Sequence, residues 1–296
     1  LELGMIAHAL RIQRCGGPEA PIELEYTLPV SLEASWDGED VDAVMEAFLA
    51  FGGRNFVLWD AGKVDWSLKT WSRHLSRWSE MGCQVWAHSM TTVEQLAERS
   101  RETVAVVVDR LLAAGLKGLS EGAIVSMKDG GLSGLEGLQA QRVLGLTQGV
   151  VVEYGYGESS VERAQTLCAI KKLDGLQWIR VVPATPGVEG MDPMSATAQD
   201  HVQMTALSRI ILTNISNQWA VWLPGARVIA QQALLAGCNG LGPVLFPQGT
   251  DEKSWKQTLI EVSLDVRDAG LQISGEQSFS RRGRLRRSST SSAPLS

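Results

Sequence analysis

His88, Glu121 and Glu158, together with Asp60 and the turn from Pro183 to Pro186, are the residues whose types and positions suit chemistry. Each follows a short apolar run that reads as a strand. A histidine and several carboxylates converging at strand ends suit proton transfer, or hydrogen bonding to a polar ligand. Glu158 comes after a Gly155-Tyr156-Gly157 turn and opens a helix, where the helix dipole also favours an acid. Gly155 and Gly157 would let that turn approach a ligand closely. Arg209 offers a guanidinium to a carboxylate or phosphate, and Trp222, with Trp219, offers a flat face for a planar ligand. Plainer roles compete at every position. Asp60 before Ala61-Gly62 suits a turn, and an arginine on an amphipathic helix is usually solvated or ion-paired.

The elements that must position these residues alternate along the chain. Ile22 to Val30 reads as a strand, and Val41, Val44, Met45, Phe48 and Leu49 mark one helix face that Gly52-Gly53 ends. Asn55 to Trp59 is nearly all apolar, as a strand buried on both faces should be. A helix bearing Trp66, Trp71 and Trp78 leads to a strand from Gln84 to His88. One long helix is expected from about Thr92 to Ala114, then a strand near Lys117 to Val125. Val150 to Tyr154, a helix from Ser159 to Leu173, and Trp178 to Val182 repeat the pattern. From Thr205 to Phe246 the chain reads as helix, Trp-bearing loop, helix and Gly-rich turn into a strand, before a last helix near Glu252 to Asp268.

Strand and helix in regular alternation predict an α/β fold with parallel strands and crossover helices. A TIM-type barrel, complete or partial, suits the 296 residues better than a doubly wound sheet, because no GxGxxG turn follows the first strand. The barrel is expected over residues 22–272, with residues 1–21 as an N-terminal extension and residues 273–296 as a disordered Ser/Arg-rich tail. Gly131 to Leu138 (GLSGLEGL) lacks the Gly-Lys-Ser/Thr ending of a phosphate loop and reads as a crossover.

Five arginines crowd the last sixteen residues, so a formal net charge of −6 conceals −11 on everything before them. A body that acidic repels phosphate backbones, which argues against nucleic-acid binding by the folded part. The basic tail suits an acidic partner. No apolar run is long enough for a membrane span, no signal peptide is evident, and the four cysteines show no CxxC spacing, so a cytoplasmic protein with reduced thiols is expected.

In order and spacing, the segments from about Asn55 to Phe246 resemble the radical S-adenosylmethionine (SAM) enzymes of the futalosine route to menaquinone and of deazaflavin synthesis. The similar stretches are VWAHSMT around His88, LLAAGLKGLSEGAI up to Glu121, VVEYGYGESSVERAQTL around Glu158, and WIRVVPATPG after Trp178. The fifth is the ending through Arg209, Asn214-Ile215, Trp222, Gly225, Ala230-Gln231, Leu234, Gly237, Asn239 and Gly242. The resemblance implies a barrel, SAM as cofactor, a nucleoside-like small-molecule ligand and a [4Fe–4S] cluster held by Cys-x3-Cys-x2-Cys after the first strand. That motif is missing. Taking Cys15 as its third cysteine puts Ile12 and His8 at the other two places, and SLEASWDGED after Ile22 to Val30 has no cysteine. Tyr156 stands where the family has histidine, and Gly240 where an aspartate commonly follows the Gly-Asn pair. Three readings follow: a cluster-free descendant that keeps a nucleoside- or SAM-like pocket, an active enzyme whose cluster segment lies upstream of Leu1, or a scaffold that meets partners through its tail.

Overall fold

The computed structural model describes residues 2–18, 20–28, 45–46, 49, 54–58, 66–120, 123–127, 135, 139, 144–146, 148–184, 196–222, 227–245 and 252–273. Asp60, Glu121, Pro186 and the Arg-rich tail lie outside them, as does most of the helix expected over Val41 to Leu49.

Nine strands occur among the described residues: β1 (Glu23–Leu28), β2 (Asn55–Leu58), β3 (Gln84–Ala87), β4 (Leu116–Gly118), β5 (Ala123–Ser126), β6 (Gln148–Tyr154), β7 (Leu176–Pro183), β8 (Asn217–Trp222) and β9 (Gly240–Leu245). They form one sheet in the order β4-β3-β2-β1-β9-β8-β7-β6-β5. Every pairing is parallel. The two ends of this order, β4 and β5, are only four residues apart in the chain. That gap reaches at most about 18 Å even when extended, so the sheet curls back on itself through one interrupted strand. The strand expected near Lys117 to Val125 is thus two segments: the first bonds β3, with Ser120 N–H reaching His88 O at 3.0 Å. The second bonds β6.

Among the described residues eight helices pack around this ring: α1 (Glu2–Arg14), α2 (Leu68–Glu80), α3 (Met90–Ser100), α4 (Val104–Ala113), α5 (Ser160–Lys171), α6 (Ala198–Ile211), α7 (Arg227–Leu235) and α8 (Glu252–Asp268). On α2 the apolar residues Leu68, Trp71, Leu75 and Trp78 are buried along one stripe, while Ser67 caps the first turn by accepting from Thr70 N–H. Capping boxes start α5 (Ser159 with Glu162) and α6 (Thr197 with Asp200). The long helix expected from Thr92 to Ala114 is broken into α3 and α4. Arg101 turns left-handed at φ 56°, and the Thr103 side chain then caps α4 by accepting from Val106 N–H.

Residues between sheet and helices form the core. Val150, Val152 and Tyr154 meet Leu167, Ile170, Ile179 and Val181 in one cluster, while Phe56, Leu58, Val85, Ala87, Trp71 and Trp78 belong to another. Burying such side chains stabilises each by about 1.5–3 kcal/mol. The alternate residues of each strand therefore face the barrel interior.

Candidate functional site

The interior is floored by indoles. Gly149 and Gly240 leave room for them: a Cβ on Gly149 would lie 1.6 Å from the Trp178 ring, and one on Gly240 would lie 2.4 Å from the Trp219 ring. Arg180 lies over Trp178 with its guanidinium carbon 5.2 Å from a ring centroid, and it pairs in register with Trp219. Such stacking suits the planar, weakly hydrated guanidinium. The indole N–H groups of Trp86 and Trp219 are buried and have no acceptor among the described residues. A ligand with acceptor atoms would satisfy them, since a buried donor left without a partner costs free energy.

Above this floor Glu153 projects inward from β6, between the helix-facing Val152 and Tyr154. Tyr156 donates to its Oε2 at 3.1 Å and also bonds the Ser126 side chain. Burial, more than any neighbouring charge, raises the Tyr156 phenol above its usual range. Glu153, Tyr156 and Ser126 thus make a polar rim at the C-terminal ends of β5 and β6, the end where barrels of this kind carry their sites.

The residues expected from the sequence divide by place. Gly155 and Gly157 take the positive φ values of 102° and 87° that their turn requires. Glu158 closes that turn. Its carboxylate accepts from Gly155 N–H at 2.9 and 3.1 Å, from Tyr156 N–H at 2.7 Å and from Arg163 Nε at 2.9 Å. With its side chain 3% exposed, Glu158 holds the loop at the mouth in shape. Arg163 continues the network to Asp200 at 3.6 Å and over the Tyr154 ring, while the Tyr154 hydroxyl meets His201 Nδ1 at 2.8 Å.

Three expected residues stand elsewhere. His88 is fully buried, and its ring meets Trp71 of α2 edge-on with centroids 4.3 Å apart. With a positive φ of 69°, His88 turns its ring toward α2, in the layer between sheet and helices. Trp222 belongs to β8, not to a loop, and its indole donates to Asp265 Oδ2 of α8 at 2.8 Å. Trp219, three residues earlier and so on the other face, is the residue of the pair that lines the interior. Arg209 lies under the starts of β8 and β9, where it donates to Gly237 O (2.8 Å), Ser216 O (3.1 Å) and Asn239 Oδ1 (2.7 Å). It braces the end of the barrel remote from the mouth. Glu153, Arg180 and Trp178 escaped the sequence reading, although a charged residue inside an otherwise apolar buried strand was a usable signal for the first two.

The first strand is β1, so a cluster motif of the kind the resemblance implies would fall in the residues after Leu28, which contain no cysteine before Cys83. The four cysteines stand away from the mouth. Cys83 and Cys238 are buried just before β3 and β9, Cys168 is exposed on α5, and Cys15 follows α1 beside residues that precede β8. Burial pushes the Cys83 thiol up to about 11 and the Cys238 thiol up to about 12, which disfavours the thiolates that iron requires. No group of three or more His, Cys, Asp or Glu residues that could hold a metal ion occurs among the described residues. The residues present do not fit a three-cysteine cluster.

Comparison with known proteins places this barrel. Residues 188–272 match the family model for the CofH/MqnC C-terminal region. The chain is 23% identical over 272 residues to the cyclic dehypoxanthine futalosine synthase of Streptomyces coelicolor, covering 83% of this chain and 67% of that protein. It is 22% identical to the enzyme of the same name from Halalkalibacterium halodurans, over 79% of this chain and 69% of that one. Among solved structures, methylornithine synthase (PylB) superposes with a TM-score of 0.66 at 13% identity, covering 92% of this chain and 88% of that chain. The [FeFe]-hydrogenase maturase HydG from Carboxydothermus hydrogenoformans superposes with 0.58 at 12% identity, covering 92% and 71%. Topology and superposition therefore define an α/β fold of the partial TIM-barrel type. The chain is similar to these futalosine-pathway enzymes along most of its length, and it lacks a CxxxCxxC motif.

Proposed function

We propose that the protein serves menaquinone (futalosine) or deazaflavin cofactor biosynthesis as a radical-SAM-like barrel that holds no iron–sulfur cluster on its own cysteines and keeps a pocket for a nucleoside- or SAM-like ligand. The carrying observation is the placing of all four cysteines away from the strand C-termini, while the interior stays furnished for a ligand. The buried Trp86 and Trp219 N–H groups seek acceptors, which purine nitrogens and ribose oxygens supply. Indole faces suit a planar base, and the Glu153–Tyr156 pair suits a ribose hydroxyl. Glu158, Gly155 and Gly157 act here as positioning residues, because they shape the loop that carries Tyr156. His88 acts from behind the sheet, holding the end of β3 through Trp71.

Titration calorimetry with SAM, adenosine and a purine base tests this reading. Saturable binding that Trp219→Ala abolishes and Trp222→Phe leaves intact supports an interior pocket. Absence of binding by all three would remove the pocket from the account and favour a scaffold role.

A further inference from the structure

The end of the barrel opposite the mouth holds positive charge with no carboxylate against it among the described residues. Arg11, on the inner side of α1, is 1% exposed, and none of its three guanidinium nitrogens has a hydrogen-bond partner among the described residues. Arg209, also 1% exposed, spends its donors on two carbonyls and an amide, all neutral. The two meet beneath α1. A Cβ on Gly237 would lie 3.0 Å from Arg209 Cγ and 3.1 Å from Ala7 O, and Arg11 is one helical turn beyond Ala7. Arg14 adds a third cation, donating to Thr213 O at 3.0 Å.

Two buried guanidiniums without an anion are costly, because desolvation of each charge goes uncompensated. The ionisable groups that draw on them are the thiols of Cys15 and Cys238, and burial keeps Cys238 protonated by pushing its thiol up to about 12. The C-terminal end of α1 favours a nearby cation but offers no acceptor to the Arg11 nitrogens. Next to this cluster lies a cavity of about 530 Å³ whose lining includes Arg14, Cys15, Asn214, Ser216, Asn217 and Asn239. Its wall is part polar and part apolar, with Pro21 and Ile215 beside the polar groups; no lining residue is a carboxylate, and Arg14 is the cation that lines the cavity. Asn239 links it directly to Arg209, and Arg14 and Cys15 follow Arg11 by three and four residues, on the same side of the α1 end.

We propose that this cavity is a binding site for a small oxyanion, a carboxylate or phosphate group, whose charge completes the Arg11, Arg14 and Arg209 cluster. It lies at the opposite end of the barrel from the nucleoside-like pocket and stands independently of it. The ligand is an acid small enough to enter between the end of α1 and the loop from Thr213 to Asn217, and it links the seating of α1 to the level of that acid.

The test is thermal unfolding of the intact chain in rising inorganic phosphate or acetate, at ionic strength held constant with chloride. Saturable stabilisation is expected, reaching about 3 °C near ten times the dissociation constant. Response to phosphate alone would identify a phosphate group, and response to acetate a carboxylate. Arg11→Met should unfold at a higher temperature without ligand, because an unpaired buried charge is gone, and should bind at least tenfold more weakly. Arg14→Gln, at an exposed position, should also weaken binding while leaving the ligand-free midpoint near its original value. A rise that stays linear in concentration and is unchanged in both variants would be general salting-out, and would overturn the proposal. So would a rate of Cys15 alkylation showing a strongly acidic thiol, since the missing anion would then be internal.

Discussion

His201, on the buried face of α6, is 6% exposed, with its ring bonded to the Tyr154 hydroxyl, and burial lowers its pKa to about 4. The folded protein holds it neutral, whereas the unfolded chain takes up a proton near 6.5. Between those two values the unfolded state binds more protons, so stability falls as pH drops through the window, by about 3 kcal/mol in all. Urea unfolding of the wild type and His201→Gln at pH 7 and pH 4.5 checks this. The variant should lose much less stability on acidification, and equal losses would show that other groups dominate. Glu158 gives a second expectation. Glu158→Ala leaves two loop N–H groups without their acceptor and Arg163 with Asp200 alone, so a loss of about 3 kcal/mol is expected in urea unfolding. A loss below about 1 kcal/mol would mean the loop holds without it. Glu158 was found from its Gly-x-Gly setting, but its inward-folded carboxylate was not legible, since sequence spacing carries no side-chain direction. His88 misled for a related reason. Strand alternation fails at a residue with positive φ, and nothing in VWAHSMT announces that value.

At the scale of elements, the barrel closes where small residues face large ones. Gly149 and Gly240 accept the flat faces of Trp178 and Trp219, so Gly149→Ala and Gly240→Ala should each cost about 1–3 kcal/mol by overpacking. Indole fluorescence should shift as unfolding midpoints fall, and an unchanged midpoint in either variant would contradict the packing. The outer layer is tied by Asp265, which accepts from Trp222 Nε1 and from Arg227 through both carboxylate oxygens. Most strands and helices could be read from the alternation of apolar runs with helical periodicity, because burial on both faces leaves strands few other compositions. Two features could not. The α3–α4 break depends on Arg101 adopting a left-handed conformation, which arginine seldom signals. The β4–β5 interruption hides inside a Gly-rich apolar run that reads equally well as one strand. Trp219 and Trp222 read as loop residues, whereas both belong to a strand that begins at Asn217.

At the scale of the molecule, the chain is similar to the cyclic dehypoxanthine futalosine synthases, and its own cysteines are scattered over separate elements. Two are buried under strands, one is on a helix surface, and one adjoins a cation-rich cavity. No helix is long and apolar enough to cross a membrane among the described residues. The interior keeps indoles, a stacked arginine and a Glu–Tyr pair, a set suited to holding a flat polar molecule. Anaerobic reconstitution with ferrous iron and sulfide, followed by iron analysis and electron paramagnetic resonance of the reduced protein, tests the central claim most directly. Iron far below one [4Fe–4S] cluster per chain is expected, with no brown chromophore and no cluster signal. A stoichiometric, reducible [4Fe–4S] cluster that disappears when the cysteines are replaced by serine would contradict it.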